Sequence, residues 1–230
     1  MIGEPVQLTI RRRFERPTAT LVDAFRRIPI SMVADAQDGR GGLPHAIKPL
    51  APGTTMIGPA VTARCHTGDN LAALAAFEVA QPGDVVVIAT EGNRELLGVV
   101  GDRYAAIAAN LGLAGIVVDG LVRDPAGIRE AGVPCYCRGV TANSVHPTGP
   151  GEVGLDVVVG EATISPGDLV LGDDDGVLIV KRDALQRVAA ALAAVKEAEQ
   201  RLEAEIRAGL KRFPSIRPIL SSPRTRYLDE

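Results

Sequence analysis

Two short stretches of this chain bring together residue types that could do chemistry. In "VVDGLVRDPAGI", Val117 to Ile128, an apolar run ends in glycine and is followed by Arg123 and Asp124. In "GVVGDRYA", Gly98 to Ala105, two glycines precede Asp102 and Arg103. A guanidinium is a fixed fork suited to a carboxylate. Asp102 and Asp124 offer hard oxygen ligands of the kind magnesium takes, with water completing its shell. Gly98 and Gly101 allow close backbone approach, and free N–H groups at a helix start can grip an anion. Together these residues point to a metal-assisted site for a small carboxylated substrate. Singly, each has a plainer explanation. Asp124 before Pro125 is a common helix start, Arg123 could pair with Glu130 or a surface carboxylate, and Asp102 could be a favourable charge in a helix's first turn. Residue types alone leave both readings open.

The elements around these residues decide whether they can meet. "GDVVVIAT" reads as a buried strand, "GVVGDRYAAIAANLG" as a helix closed by Gly112, and "LAGIVVDG" as a second buried strand. That order is a βαβ unit, which implies parallel pairing and a right-handed crossover. In open α/β sheets, ligands bind outside the carboxyl ends of the strands. The loops "ATEGNRELLG" and "DGLVRD" therefore face one crevice. Upstream, "TMIGPAVTARC" is a strand and "DNLAALAAFEVA" a helix opened by Asp69 or Asn70. Downstream of Pro134 come short strands with Gly, Pro and Asp turns, an antiparallel or mixed layer.

The ends read differently from this core. Residues 1–53 hold a basic arm (Arg11 to Arg13), a helix after Pro17 with Leu21, Val22, Phe25 and Ile28 at helical spacing, and a short helix near Ser31 to Gln37. Residues 54–182 form the α/β core. In residues 183–230, Asp183 caps a long helix with Leu185, Val188, Leu192 and Val195 on one face. Its charged later turns suit packing on a neighbouring subunit. The Pro-rich end is an extended tail or a strap over a partner chain.

Composition narrows the function. The 230 residues are 46% hydrophobic and 23% charged, with a net charge of -3, ordinary for a globular chain. Aromatics make up 3% and Trp is absent, which argues against nucleic-acid binding. Cys135 and Cys137 are expected to point to opposite faces of a strand, and all three cysteines read as buried free thiols. No signal peptide or membrane-length apolar run is visible, so a cytoplasmic protein is expected. Asp173, Asp174 and Asp175 read as an acidic hairpin turn, and His146 as a loop residue. GxGxxG, Walker and GxSxG patterns are missing, which removes the simplest dinucleotide, nucleotide and serine-hydrolase assignments.

The ordered segments "GDNLAALAAFEVAQPGDVVVI", "GVVGDRYAAIAANLGLAGIVVDGLVRD", "GVPCYCRGVT" and "GPGEVGLDVVVGEATISPGDLVLGDDDGVLIV" resemble the regulator-of-ribonuclease-activity-A-like family. That family includes 4-hydroxy-4-methyl-2-oxoglutarate aldolases that also decarboxylate oxaloacetate. With the elements above, the expected fold is α/β: a layered α/β/β/α sandwich with a parallel βαβ core, a β-rich second layer and a long C-terminal helix. The resemblance implies that Arg123 holds the pyruvyl carboxylate and Asp124 anchors a divalent metal, Mg²⁺ or Mn²⁺. Asp102, after Gly101, acts through metal-bound water, and the backbone amides of Arg103 and Tyr104 meet the substrate carboxylate. A glutamate from an adjacent subunit's C-terminal helix completes the aldolase site, and Glu199 is the best match, with Glu197 and Glu203 nearby. A homotrimer or homohexamer is implied, with a small 2-keto acid as substrate. The other class in the family is a non-catalytic ribonuclease regulator. Those regulators lack a long C-terminal helix, whereas this chain has one.

Overall fold

The computed structural model describes residues 4–92 and 95–228. A first strand, β1 (Leu8–Ile10), precedes two short helices, α1 (Ala19–Asp23) and α2 (Ile30–Asp35), and the two-residue β2 (Lys48–Pro49). The core follows as β3 (Met56–Cys65), α3 (Leu71–Ala75), β4 (Val85–Thr90), β5 (Gly98–Val100), α4 (Asp102–Asn110), β6 (Gly115–Asp119), β7 (Leu121–Val122) and α5 (Pro125–Ala131). Then come β8 (Cys135–Cys137), β9 (Gly139–Val140), β10 (Gly151–Val153), β11 (Val157–Val159), β12 (Ala162–Ile164), β13 (Leu169–Asp173) and β14 (Gly176–Val180). The long α6 (Leu185–Arg207) and the short α7 (Arg217–Leu220) end the chain.

The main sheet has nine strands, with β3, β4, β6 and β8 parallel at its centre. Every residue of β4 and of β6 is buried, as expected of strands covered on both faces. Alternation along these strands sorts side chains into two cores. Val86, Ile88, Ile116 and Val118 pack with Ala72, Tyr104, Ala105 and Ile128 from the helices. Val85, Val87 and Val117 pack with Val157, Ile164, Val170 and Val177 from the later strands. With α2 against β13 and β14, the layers run α/β/β/α.

Several local expectations are corrected. Cys135 and Cys137 share one face and one core, because residues two apart on a strand point the same way. Tyr136 between them enters the other core. Cys135 donates its thiol hydrogen bond to Cys137, which lifts the first thiol's pKa and lowers the second's. Gly98–Val100 is a strand and not the start of the helix, since its two β-branched valines suit an extended chain paired with β7. The helix after Pro17 stops at Asp23, and that after Asn70 at Ala75 before a 3₁₀ turn over Ala76–Glu78. Asp183 lies inside a 3₁₀ turn ahead of α6. The carboxylate that takes the Arg182 amide there, at 2.9 Å, is Asp168. Leu8–Ile10 pairs in parallel with β10, an element the sequence reading did not contain.

Residues up to Leu192 make one compact unit, and those from Ala193 onwards a second. The second holds the charged turns of α6, tied by Arg201–Glu197 and Arg207–Glu203 ion pairs of 2.8 and 2.9 Å. Its end carries short helical turns at Pro214–Ile216 and Arg217–Leu220 where an extended tail was expected. Among the described residues, no helix is long and apolar enough to cross a membrane.

Candidate active site

Two of the parallel strands are prolonged into a smaller sheet. One residue, Gly120, separates β6 from β7, and Arg138 separates β8 from β9. With β5, these extensions form a parallel sheet in the order β5-β7-β9. Helix α4 starts directly after β5, and Arg123 and Asp124 lead directly from β7 into α5. Since β5 and β7 are paired and the Arg123 amide donates to the Val100 carbonyl at 3.0 Å, the two chemical stretches are brought side by side.

Glycines clear the space where they meet. A β-carbon added to Gly101 would lie 2.8 Å from Asp124 Oδ2 and 3.1 Å from Arg123 Cγ. The Gly101 φ of -141° is open to any residue, so it is the missing side chain that this position needs. A β-carbon on Gly98 would lie 3.2 Å from Arg123 Cβ. Gly127, not singled out from the sequence, admits Asp102: its β-carbon would fall 2.5 Å from that of Asp102.

Asp124 occupies the N-cap position of α5 with Pro125 next, as an Asp-Pro helix start should. Yet its side chain makes no capping hydrogen bond, and its backbone is left-handed, with φ 54° and ψ 52°. Asp tolerates that region better than most residues, but the conformation is uncommon outside glycine. Its Oδ2 instead lies 3.1 Å from Arg123 Nε, which makes Asp124 and not Glu130 the partner of Arg123. Both side chains remain partly open, at 40% and 46% exposure. Asp102 sits in the first turn of α4 and accepts the Arg103 amide through Oδ1 at 2.7 Å. That amide is therefore already engaged. The Tyr104 amide, in the same first turn, has no intrahelical acceptor.

The Tyr104 ring turns inward. It stacks on Phe77 at 4.4 Å, its hydroxyl donates to the Ala73 carbonyl at 3.0 Å, and burial pushes its pKa well up. Arg103 is exposed. A crevice of 150 Å³ is bordered by Asn70, Gly98, Gly101, Asp102, Arg103 and Arg123. Asn70, read from the sequence only as a helix opener, donates to the Val99 carbonyl at 3.0 Å, and its Oδ1 is buried without a partner among the described residues. A larger cavity of 730 Å³ lies at the amino ends of β3 and β6, lined by Phe25, Met56 and Leu171. None of Gly101, Asp102, Arg103, Tyr104, Arg123, Asp124 and Glu199 lines it, so the smaller crevice is the candidate site. Of the loop "ATEGNRELLG", Asn93 and Arg94 lie outside the described residues. Glu199 is exposed on α6, in the second unit.

The donor set suits a hard cation. Magnesium is commonly held by one or two carboxylates while keeping several waters. Asp124, which makes no capping hydrogen bond, and Asp102 beside Gly127 are the carboxylates that would fit such a cation. Among the described residues, no three His, Cys, Asp or Glu side chains gather into a cage.

An arginine and two carboxylates thus lie past the carboxyl ends of parallel strands in an α/β/β/α sandwich, where proteins of the open α/β class bind their ligands. The chain belongs to the RraA-like family, whose model, described as Aldolase/RraA, matches residues 18–179. It is 40% identical over 161 residues to a Halalkalibacterium halodurans protein named "Putative 4-hydroxy-4-methyl-2-oxoglutarate aldolase", covering 70% of this chain and 76% of that one. Among solved structures, it is similar to RraAS2 of Streptomyces coelicolor, described as an unusual member of the RNase ES inhibitor RraA protein family. That likeness has a TM-score of 0.74 at 30% identity and covers 83% of this chain and 99% of the other. An uncharacterized protein from Pseudomonas syringae pv. tomato aligns with a TM-score of 0.75 at 26% identity, over 86% and 97% of the two chains.

Proposed function

We propose that this chain is a divalent-metal-dependent pyruvate aldolase of the cytoplasm. It would cleave 4-hydroxy-4-methyl-2-oxoglutarate-like 2-keto acids and decarboxylate oxaloacetate. The observation that carries this reading is the left-handed Asp124, which gives up its cap hydrogen bond and lies against Arg123 and Gly101. Arg123 holds the pyruvyl carboxylate through its outer guanidinium nitrogens, with its Nε facing Asp124. Asp124 would hold Mg²⁺ or Mn²⁺, with Asp102 acting through water. When bound, the metal supplies Lewis-acid stabilisation to the charge that builds on the 2-keto oxygen. A water polarised by Asp102 would take the proton of the 4-hydroxyl. The Tyr104 amide at the start of α4 offers the carboxylate a further donor. Both reactions leave the same pyruvate enolate, so one crevice serves both.

The exposed, charged turns of α6 fit a homotrimer or homohexamer in which Glu199 of one copy completes the site of the next. The deciding experiment is a coupled assay for pyruvate release from 4-hydroxy-4-methyl-2-oxoglutarate and from oxaloacetate, with Mg²⁺ and with chelator. Metal-dependent pyruvate from either substrate is expected. Its absence with both would leave the chain with the family's ribonuclease regulators as a binding protein.

A further inference from the structure

We infer that the side chain of Arg103 is a specificity-determining residue, a second anion grip that reads a distal carboxylate on the substrate. The inference rests on the aldolase reading of the crevice and names what that crevice selects.

Two arginines border the crevice, Arg103 and Arg123, and they differ in one respect. Arg123 is already matched, with Asp124 Oδ2 3.1 Å from its Nε. Arg103 forms no ion pair or side-chain hydrogen bond among the described residues, although Asp102 is its neighbour in sequence. Asp102 spends Oδ1 on the Arg103 backbone amide at 2.7 Å, and its β-carbon is packed against Gly127. The neighbouring carboxylate is thus held by the backbone and by α5. Among the described residues the Arg103 guanidinium has no acceptor of its own, on a residue that borders a crevice already holding one carboxylate grip.

The two grips stand on different elements. Arg123 follows β7, while Arg103 is the second residue of α4. A ligand fixed at one end by Arg123 therefore meets the other arginine with its far end. The crevice volume of 150 Å³ suits a small organic acid and not a nucleotide. Tyr104 does not compete for this space, since its ring is committed to Phe77 and its hydroxyl to Ala73. Leu74, also on the border and 42% exposed, supplies an apolar wall. That combination fits a 2-keto acid with a carboxylate at its distal end and small apolar substituents between.

The test compares two substrates that differ only in the distal part. 4-Hydroxy-4-methyl-2-oxoglutarate carries a distal carboxylate, and 4-hydroxy-2-oxopentanoate ends in a methyl group. In both, the C3–C4 bond breaks, the hydroxyl proton leaves and C4–O becomes a carbonyl. C3 keeps the electron pair as the enolate and is then protonated to pyruvate. Arg103→Leu is expected to raise KM for the first substrate about 10-fold while leaving kcat near its original value. This is the lower end of what a charged hydrogen bond gives, because the side chain is exposed. KM for the second substrate is expected to stay within about twofold, and Arg103→Lys to recover part of the loss. An equal rise for both substrates, or no rise for either, would overturn the assignment.

A binding measurement separates this idea from the aldolase reading. Calorimetric titration with 2-oxoglutarate and with 2-oxobutyrate, in Mg²⁺, needs no turnover. Weaker binding of 2-oxoglutarate alone in Arg103→Leu supports the distal grip even if no pyruvate is ever formed. Equal binding of 2-oxoglutarate by the variant and the original chain rejects it even if the aldolase activity is present.

Discussion

Gly101 stands so close to Asp124 that a methyl group on it would lie 2.8 Å from the carboxylate Oδ2. Its backbone is extended, so alanine there is conformationally acceptable and only the carboxylate and Arg123 must give way. Gly101→Ala should therefore leave the melting temperature within a few degrees of the original. It should lower pyruvate release by about 10- to 100-fold, as misplacement of a catalytic group by an ångström does. Unchanged turnover together with normal folding would mean that Arg123 and Asp124 are not the working pair.

Asp124 permits a sharper experiment, because its two possible roles predict opposite stabilities. A left-handed backbone costs an ordinary L-residue about 1–2 kcal/mol, which glycine does not pay. If the side chain is held for chemistry and not for capping, Asp124→Gly should be more stable than the original chain by about 1 kcal/mol. Loss of a capping carboxylate would instead lower its stability, and Asp124→Ala keeps the backbone cost in either case. Both should lose metal-dependent turnover. Urea midpoints measure the first, and the coupled assay the second. Full activity in Asp124→Gly would return the residue to the helix start.

Much of this site was legible before the structure, for a reason that lies in particular residues. Buried parallel strands such as β4 and β6 are continuous apolar runs, and the residues just past them are where α/β folds place ligands. Arg123 and Asp124 follow at once. Gly127 was not legible, because its need is set by the distance between α4 and α5, which no spacing rule contains. The strand β5 was hidden in the same way. Three residues facing a helix start look like its first turn until their partner β7 is known. The inward turn of Tyr104 depends on Phe77 and Ala73, distant in sequence, so its bulk next to Asp102 could not be placed from the chain alone. The shared face of Cys135 and Cys137 follows from the pleat, since residues two apart on a strand point the same way.

Tyr104 is expected to serve the fold and not the substrate. Tyr104→Phe removes a buried hydroxyl that donates to the Ala73 carbonyl and leaves that acceptor without its donor. A loss of about 1–2 kcal/mol in unfolding free energy is expected. KM for the 2-keto acid should hold within about twofold, because the stack on Phe77 survives. A large KM change without loss of stability would place the hydroxyl in the crevice after all.

Burial of Cys65 makes an alkaline limit on stability. Its thiol is pushed up from 9.0 to about 12 by desolvation, so between those values the unfolded chain releases a proton that the folded chain keeps. Folding then binds a proton, and stability falls as pH rises through this window, while it is fully present below pH 9. Tyr104 is shifted in the same direction and adds to the fall at higher pH. Cys65→Ala removes the thiol's share only. The variant should start less stable at pH 8, by the packing it loses, yet decline less steeply between pH 9 and 11 than the original chain. Urea midpoints taken across that range give both slopes. Parallel slopes in the two proteins would show that the Cys65 thiol titrates alike in the folded and unfolded chains, and that its burial in the core under α3 does not hold its proton.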